Sequence, residues 1–218
     1  MKGLLIKDLK LMKNQKKFFI TFFMIAVIFL ITYENKLFAV SYTTMIFTIF
    51  VMSTISYDEY ENGYPFLFVL PIRRSDYVNS KYCFGLLCCL AAWLLATLYT
   101  TIYQITQKPD GNLLEWIGQC CMIIPFFLLF LAFSIPVQLK FGNEKARVVI
   151  FGILGGSTLI IYAASKLIKR MNVNVSVIIQ LAESISNLGL VIGCIAGSIV
   201  LLMISYIISI HIMNKKQF

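Results

Sequence analysis

Long apolar runs, separated by short polar segments, dominate the chain. A membrane-spanning helix needs about 20 mostly apolar residues to cross a hydrocarbon core about 30 Å thick. The runs are continuously apolar rather than alternating, which argues against the strands of a transmembrane β-barrel. The pattern predicts an all-α integral membrane protein with about six transmembrane helices, at residues 18–33, 37–56, 82–105, 113–139, 148–168 and 183–212. These runs occupy most of the 218 residues, so we expect a single transmembrane domain over residues 1–218.

The segment before the first run, residues 1–17, alternates lysines with apolar residues. Leu5, Leu9 and Met12 share one helical face, and lysines occupy much of the remainder. This pattern predicts an amphipathic N-terminal helix that lies in the membrane interface. A cleaved signal peptide is the alternative, but the first run ends Ile31-Thr32-Tyr33-Glu34 without the small residues of a cleavage site.

Composition and charge place the chain in the membrane and orient it. Hydrophobic residues make up 59% of the sequence and charged residues 13%, about half the share in soluble domains. Fourteen of the 19 Lys and Arg residues lie at the two termini or in the segments 57–81 and 140–147. The positive-inside rule therefore predicts that both termini and these two loops are cytoplasmic. The net charge of +9 is then a topology signal with the lipid bilayer as partner, and nucleic acid is not expected.

Hydroxyl side chains give the second predicted span its most polar face, formed by Ser41, Thr44 and Thr48 at helical spacing. One interpretation is that these residues line a transport pathway. The alternative, which we favour, is hydrogen bonding between helices or to the helix's own backbone.

Small residues form seams on the last two predicted spans. Glycines let helix backbones approach closely in a membrane, where dispersion contacts hold helices together. We predict helix packing at Gly152, Gly156, Gly189, Gly193 and Gly197. The spacing leaves open whether the packing is within one chain or between two copies.

The sequence lacks the residue patterns that metal binding, nucleotide binding and intramembrane catalysis require. The six cysteines and the single histidine, His211, form no ligand-spaced cluster, so no metal site is expected. No Gly-x-x-x-x-Gly-Lys-Ser/Thr sequence is present, so the chain has no phosphate-binding loop of its own. An intramembrane enzyme is poorly supported, because no acidic residue lies in the middle of a predicted span. We therefore expect no enzyme activity and no cofactor in this chain.

The longest predicted cytoplasmic connection, residues 57–81, has an internal order. An acidic pair comes first, an aromatic and aliphatic run bounded by Pro65 and Pro71 follows, and Arg73-Arg74 come next. The run predicts a short helix over about 65–70, and Ser75 is a suitable N-cap for the helix that follows. Burial of the short helix in lipid and docking on a cytoplasmic partner are equally compatible with this pattern.

A family resemblance favours the docking interpretation. The succession Asp58-Glu59, Leu70-Pro71, Arg73, Tyr77-Val78 and Ser80-Lys81-Tyr82 resembles the corresponding loop of small ABC-2-type permeases. These permeases are the membrane subunits of ATP-binding cassette (ABC) exporters. The beginning of the chain, residues 1–9, and the short loop of residues 141–147 also resemble that family.

The resemblance implies that the 57–81 loop contains a coupling helix that sits in a cleft of a separate nucleotide-binding subunit. ATP and Mg would then belong to that partner, and a second permease copy, identical or different, would complete the transporter. Closure of the nucleotide-binding subunits would switch the bundle between inward- and outward-facing states. The implied partner-binding residues are Asp58, Glu59, Phe66, Leu67, Phe68, Leu70, Pro71, Arg73 and Arg74.

By this resemblance the chain would be the permease subunit of an exporter in a bacterial cell membrane. The apolar and aromatic character of the spans suits a hydrophobic or amphipathic substrate, and an antimicrobial or toxic peptide is the preferred expectation. The alternative is a non-transporting scaffold or sensor subunit that binds a cytoplasmic partner.

Overall fold

The computed structural model describes residues 2–60, 63–69, 71–107, 112–170 and 187–216. Every regular element in these ranges is an α-helix. The helices are α1 (Lys2–Asn14), α2 (Lys16–Thr32), α3 (Leu37–Glu59), α4 (Gly63–Val69), α5 (Arg74–Gln107), α6 (Leu113–Cys121), α7 (Ile123–Arg170) and α8 (Asn187–Lys215).

Four helical segments of the described chain are long and apolar enough to cross a membrane: Leu37–Glu59, Arg74–Gln107, Leu113–Asn143 and Gly189–Lys215. The bent pair of α1 and α2 counts as a fifth if it is taken as one span. The prediction of an all-helical, multi-pass membrane protein is therefore confirmed. The number six stays a prediction, because the expected span over 148–168 is the last part of α7 and is not among these segments. Residues 183–186 of the last expected span lie outside the described residues.

The N-terminal segment is helical, but it ends earlier than expected. The chain bends by 64° between α1 and α2, at Gln15. The side chains that α1 buries are Leu4 and Asp8, whereas Leu9 from the predicted apolar face is 46% exposed. The bundle therefore holds α1 partly through a buried carboxylate.

Two prolines lie within the expected fourth span, residues 113–139, and neither breaks the helix. Pro125 lies in the first turn of α7, where a helix needs no backbone donor, and Pro136 lies inside α7. A single turn residue, Met122, separates α6 from α7, and α7 breaks in the predicted loop 140–147 at Gly142, whose φ of +74° is the one non-helical conformation within α7. A positive φ is accessible to glycine without steric cost, so Gly142 defines the break.

The core lies where α3, α5 and α7 meet. Its fully buried side chains include Val51, Ile55, Tyr77, Phe84, Leu131, Ile135 and Leu139. Gly85 of α5 makes the close helix approach here, because a Cβ added at this residue would lie 3.2 Å from the Leu131 side chain. In contrast, 17% of the most apolar window of α8 is buried, so α8 lies at the edge of the bundle.

The helix α8 is attached to the bundle by hydroxyl groups. The Tyr82 hydroxyl lies 2.6 Å from Ser205 Oγ and 2.8 Å from Ser209 Oγ, and Ser205 donates to the Ala132 carbonyl. Interhelical hydrogen bonds of this kind stabilise helix pairs in an apolar solvent. These bonds fix the position of α8 along its axis relative to α5 and α7.

Candidate functional site

Charged side chains from distant parts of the sequence meet at one end of the bundle, which we call the charged end. It carries α1, the last turn of α3, α4, the first turns of α5, Gly142 and the last turn of α8. The 57–81 loop, residues 140–143 and the described ends of the chain, all predicted to share one side of the membrane, therefore lie together in the structure.

Lys81 is the centre of a buried charge network at this end. Its ammonium nitrogen lies 2.9 Å from Asp8 Oδ2 and 2.8 Å from Asp58 Oδ2, and it donates to Thr54 Oγ1 at 3.2 Å. The side chains of Lys81 and Asp8 are 1% and 0% exposed. Because an ammonium group has three protons, these acceptors satisfy it completely.

Two further groups complete the buried network. Lys7 pairs with Asp58 Oδ1, and the Tyr77 hydroxyl donates to Asp58 Oδ2 at 3.1 Å. Two lysines and two aspartates therefore balance in charge. A buried ion pair compensates its loss of hydration only when geometry and hydrogen bonds are favourable, and removing one partner leaves an uncompensated charge. The network consequently depends on all its members.

The helices place these residues by simple spacing. Thr54 and Asp58 are four residues apart on one face of α3, and Asp8 occupies the buried face of α1. Asp58 lies before α4 and Lys81 after it, so their ion pair closes the loop that carries α4. Lys7 and Asp8 attach α1 to the same closure.

The neighbouring acid, Glu59, points to a different set of partners. Its Oε2 accepts the backbone N–H of Asn143 at 2.8 Å, and its Oε1 lies 3.7 Å from Lys216 Nζ. A Cβ added at Gly142 would lie 2.5 Å from Glu59 Oε1, so only glycine fits there without displacing the carboxylate. Glu59 thus caps the part of α7 that starts after the break.

Side-chain amides strengthen the junction between α3 and α7. Gln138 Nε2 donates to the Met52 carbonyl at 2.8 Å and to Ser56 Oγ at 2.7 Å. Ser56 Oγ in turn donates to Asn143 Oδ1 at 2.9 Å. The last turns of α3 are therefore bonded to both sides of the Gly142 break.

The end of α8 is bonded to the loop as well. Arg74 Nη1 donates to the carbonyls of Met213 at 3.2 Å and Asn214 at 2.7 Å. Lys216 Nζ donates to the Leu139 carbonyl at 3.2 Å and lies 4.7 Å from the centroid of the Tyr64 ring. These contacts hold the end of the described chain against α4, α5 and α7.

The short helix α4 has two different faces. Tyr64 is 3% exposed and packs edge-on against Tyr77, with ring centroids 5.8 Å apart, while Phe68 and Leu67 pack against the core. Burial raises the pKa of the Tyr64 hydroxyl, which therefore stays protonated. Phe66 and Val69 are 82% and 83% exposed on the other side. The structure thus anchors α4 by one face and presents an apolar edge with the other.

The predicted partner-binding residues are accordingly placed in different environments. Phe66, Pro71 and Arg73 are exposed, whereas Leu67 and Phe68 are half-buried against the chain's own core. Asp58, Glu59 and Arg74 bond to other parts of this chain rather than standing free at a rim. Leu70 lies outside the described residues. Partner binding by these residues stays a prediction, and the structure gives the inward-facing ones an additional, internal role.

The sequence interpretation missed Asp8, Thr54 and Lys216 as parts of this site, and it used Lys7 and Lys81 for the topology and the family resemblance without predicting their ion pairs. One signal could have found Asp8: it is the one acidic residue before Glu34, in a segment rich in lysine. Lys81 similarly lies at the start of a long apolar run. A charge whose sign or position conflicts with its surroundings indicates a buried partner.

The hydroxyls of the expected pathway face bond to their own helix. Thr44 donates to the Val40 carbonyl at 2.8 Å and Thr48 to the Thr44 carbonyl at 2.7 Å, and both side chains are fully buried. Ser41 is half-buried. These are bonds to the helix's own backbone, as in the favoured interpretation, and a pathway role for this face stays a prediction.

Four of the five predicted packing glycines have open space around them in the described part of the chain. A Cβ added at Gly152, Gly156, Gly193 or Gly197 would meet nothing within 4 Å, and Gly189 is exposed at the start of α8. Packing of these faces against a second copy stays a prediction. Among the described residues, no group of three or more His, Cys, Asp or Glu residues could hold a metal ion.

The fold and the site define a class: a multi-pass helical membrane protein that presents one short, firmly anchored helix at the end of its bundle. A model of the ABC-2 family transporter protein matches residues 3–214, nearly the whole chain. The chain therefore belongs to this family, and it is a membrane permease of the ABC transporter type. Membership implies an ATP-binding partner that carries the ATPase activity. Neither the curated proteins nor the solved structures provide a significant match.

Proposed function

We propose that the chain is the permease subunit of an ABC exporter and that α4 is its coupling helix. The observation that carries the proposal is the exposed edge of α4, where Phe66 and Val69 have more than four fifths of their surface open. An apolar edge on an anchored element is the kind of surface that docks in a groove of a partner protein. Exposed Arg73 and Pro71 flank it.

The attachment of α4 supports a mechanical role over simple burial in lipid. A helix that is only buried in the lipid interface needs no specific contacts with the rest of the protein. Here the inner face of α4 packs on Tyr77, and the Asp58–Lys81 ion pair closes the loop beneath it. A displacement of α4 would therefore be transmitted to α3 and α5 rather than absorbed by the loop, because packed interiors transmit strain.

The finer parts of the proposal concern cargo and assembly. We propose outward transport of a hydrophobic or amphipathic substrate, with an antimicrobial or toxic peptide as the preferred case, across a bacterial cell membrane. The largely exposed apolar surface of α8 and its glycine-bearing face support contact with a second permease copy. ATP and Mg bind in the partner subunit in this scheme.

The test is co-purification of the ATP-binding subunit from native membranes in mild detergent. We expect Phe66→Ser combined with Val69→Ser to release that subunit and its ATPase activity while the permease still inserts. Loss of apolar anchors of this kind weakens binding by about 2 kcal/mol, or about 30-fold in the dissociation constant. Leu114→Ser is the matched control, because Leu114 is 80% exposed on α6, outside the charged end.

Two outcomes would contradict the proposal. If the double variant retains the partner as well as the native chain does, α4 is not the docking element. If a partner binds but ATP changes neither the permease nor the movement of any substrate, the scaffold or sensor function replaces transport.

A further inference from the structure

The break of α7 at Gly142 is held by the same segment that leads into α4. Glu59 is the last residue of α3, and its carboxylate accepts the N–H of Asn143 directly after the break. The left-handed conformation of Gly142, φ +74°, leaves the room that the carboxylate occupies. The start of the α4 loop and the break in α7 are therefore in direct contact.

The two parts of α7 are attached differently. Before the break, Leu131, Ile135 and Leu139 are completely or almost completely buried in the core. After the break, Ala146 is 2% exposed, whereas the described side chains Val148, Leu159 and Tyr162 are 73%, 70% and 67% exposed. The first part is fixed in the core, and the described side chains of the second part are less buried beyond its first turn.

There is also room for such a movement. A cavity of about 310 Å³ lies beside the break, lined by Ser56, Glu59, Tyr60, Phe141, Gly142, Asn143 and Lys145. A close-packed junction would resist rotation, because protein interiors have few voids larger than a water molecule. The open space beside Gly142 gives the second part of α7 room on that side of the break.

We propose that Gly142 is a hinge and Glu59 its positioning residue, so that a displacement of α4 turns the second part of α7 against the first. This inference rests on the proposed function, since docking at α4 supplies the displacement. The Glu59 carboxylate accepts the Asn143 N–H and so holds the start of the second part of α7. The ion pair with Lys216 keeps that carboxylate in place. The last part of α7 is then the moving element of the permease.

The test measures the distance across the hinge in the complete transporter. Spin labels on Phe126→Cys and Val148→Cys report the two parts of α7. These two residues would lie about 33 Å apart if the helix were straight. The half-buried or exposed cysteines Cys83, Cys121 and Cys194 are replaced by serine, and labelled permease is diluted with unlabelled chain. Pulsed EPR distances are compared without nucleotide and after trapping with ATP, Mg²⁺ and vanadate.

In the native chain we expect a shift of about 2–5 Å on trapping, the range of helix movements in switching proteins. Gly142→Ala should abolish the shift, because alanine disfavours the left-handed conformation and its Cβ meets Glu59. Gly118→Ala, on α6, should retain the shift, because a Cβ added at Gly118 would meet nothing within 4 Å. If Gly142→Ala does not fold, Glu59→Leu should abolish the shift and Glu59→Gln, which keeps an acceptor, should preserve it.

The outcomes separate this inference from the proposed function. An unchanged distance in the native trapped complex, or a full shift in both Gly142→Ala and Glu59→Leu, would overturn the hinge while leaving docking intact. Variants that lose the shift but still co-purify the ATP-binding subunit would support the hinge. A native chain without such a subunit would overturn both proposals, because no displacement of α4 would then exist to transmit.

Discussion

At the scale of single residues, Lys81 shows how a charge can be kept inside a membrane protein. Asp8, Asp58 and Thr54 supply acceptors for all three of its ammonium protons, with both Asp8 oxygens within 3.0 Å. The Tyr77 ring adds a cation–π contact, with Lys81 Nζ 5.4 Å from the centroid. Lys7 supplies the second positive charge, so that the network is balanced. Removing a single charge should therefore destabilise the protein more than removing one positive and one negative charge together.

We predict that Lys81→Met lowers the free energy of unfolding by about 3–5 kcal/mol, because it leaves two carboxylates with one half-exposed lysine. The double variant Asp8→Asn with Lys81→Met restores the balance between Lys7 and Asp58. We expect it to be more stable than Lys81→Met alone by about 0.5–3 kcal/mol, the usual coupling between residues in contact. Denaturant unfolding of the purified permease in detergent measures both. Strictly additive losses would show that the four charges do not act as one network.

At the scale of helices, the sequence predicted which elements exist better than where they bend or what they contact. Apolar runs identified α2, α3, α5 and α8, since a span in lipid must be long and apolar. The expected N-cap Ser75 lies inside α5, because the Arg73 carbonyl already accepts the N–H groups of Asp76 and Tyr77. The break at Gly142 falls in the predicted loop over 140–147, but the sequence did not show that helix continues on both sides of this one residue. The Glu59 contact at the break comes from α3, which is distant in sequence.

The short helix α4 illustrates the same limit. Its existence and its approximate position followed from Pro65, Pro71 and the apolar run between them. Which of its residues face outward did not follow, because Tyr77 and the core determine the rotation of the helix. Phe66 is exposed while Leu67 and Phe68 pack inward. Hydrophobicity alone cannot tell an anchor for a partner from an anchor for the chain itself.

A prediction at the helix scale concerns the end of α8. Arg74 donates to carbonyls of the last turn, which have no partner within the helix, and its charge is favourable beside the negative end of the helix dipole. We expect Arg74→Met to destabilise the permease by about 1.5–3 kcal/mol, the contribution of a charged hydrogen bond. Arg73→Met is the matched control, because Arg73 is exposed and should change stability by less than about 0.5 kcal/mol. Thermal unfolding in detergent compares the two. Equal effects would mean that Arg74 does not fasten α8.

At the scale of the whole molecule, both described ends of the chain converge on the loop that carries α4. Asp58 bonds to α1 through Lys7, and Glu59 bonds to the residue after α8, Lys216. Two adjacent acids thus connect one loop to opposite ends of the sequence. The charge bias of the sequence predicts that these segments share one side of the membrane, and in the structure they meet at one end of the bundle. A partner that displaces α4 would consequently act on α1, α3, α5, α7 and α8 together.

The last prediction is the membrane orientation that follows from this convergence. The positive-inside rule puts the charged end in the cytoplasm, so cysteines at Asn14, Tyr60 and Asn214 should react with a membrane-impermeant maleimide only after cells are permeabilised. A cysteine at Asn35, in the connection between α2 and α3, should react in intact cells. The exposed Cys194 is replaced by serine to remove background labelling. Because Lys7, Asp58 and Lys216 meet at one end, labelling of Asn14 and Asn214 from opposite sides would be incompatible with the structure. Labelling of the cysteines at Asn14, Tyr60 and Asn214 in intact cells would instead mean that the charged end lies outside. In that orientation α4 could not reach an ATP-binding subunit in the cytoplasm.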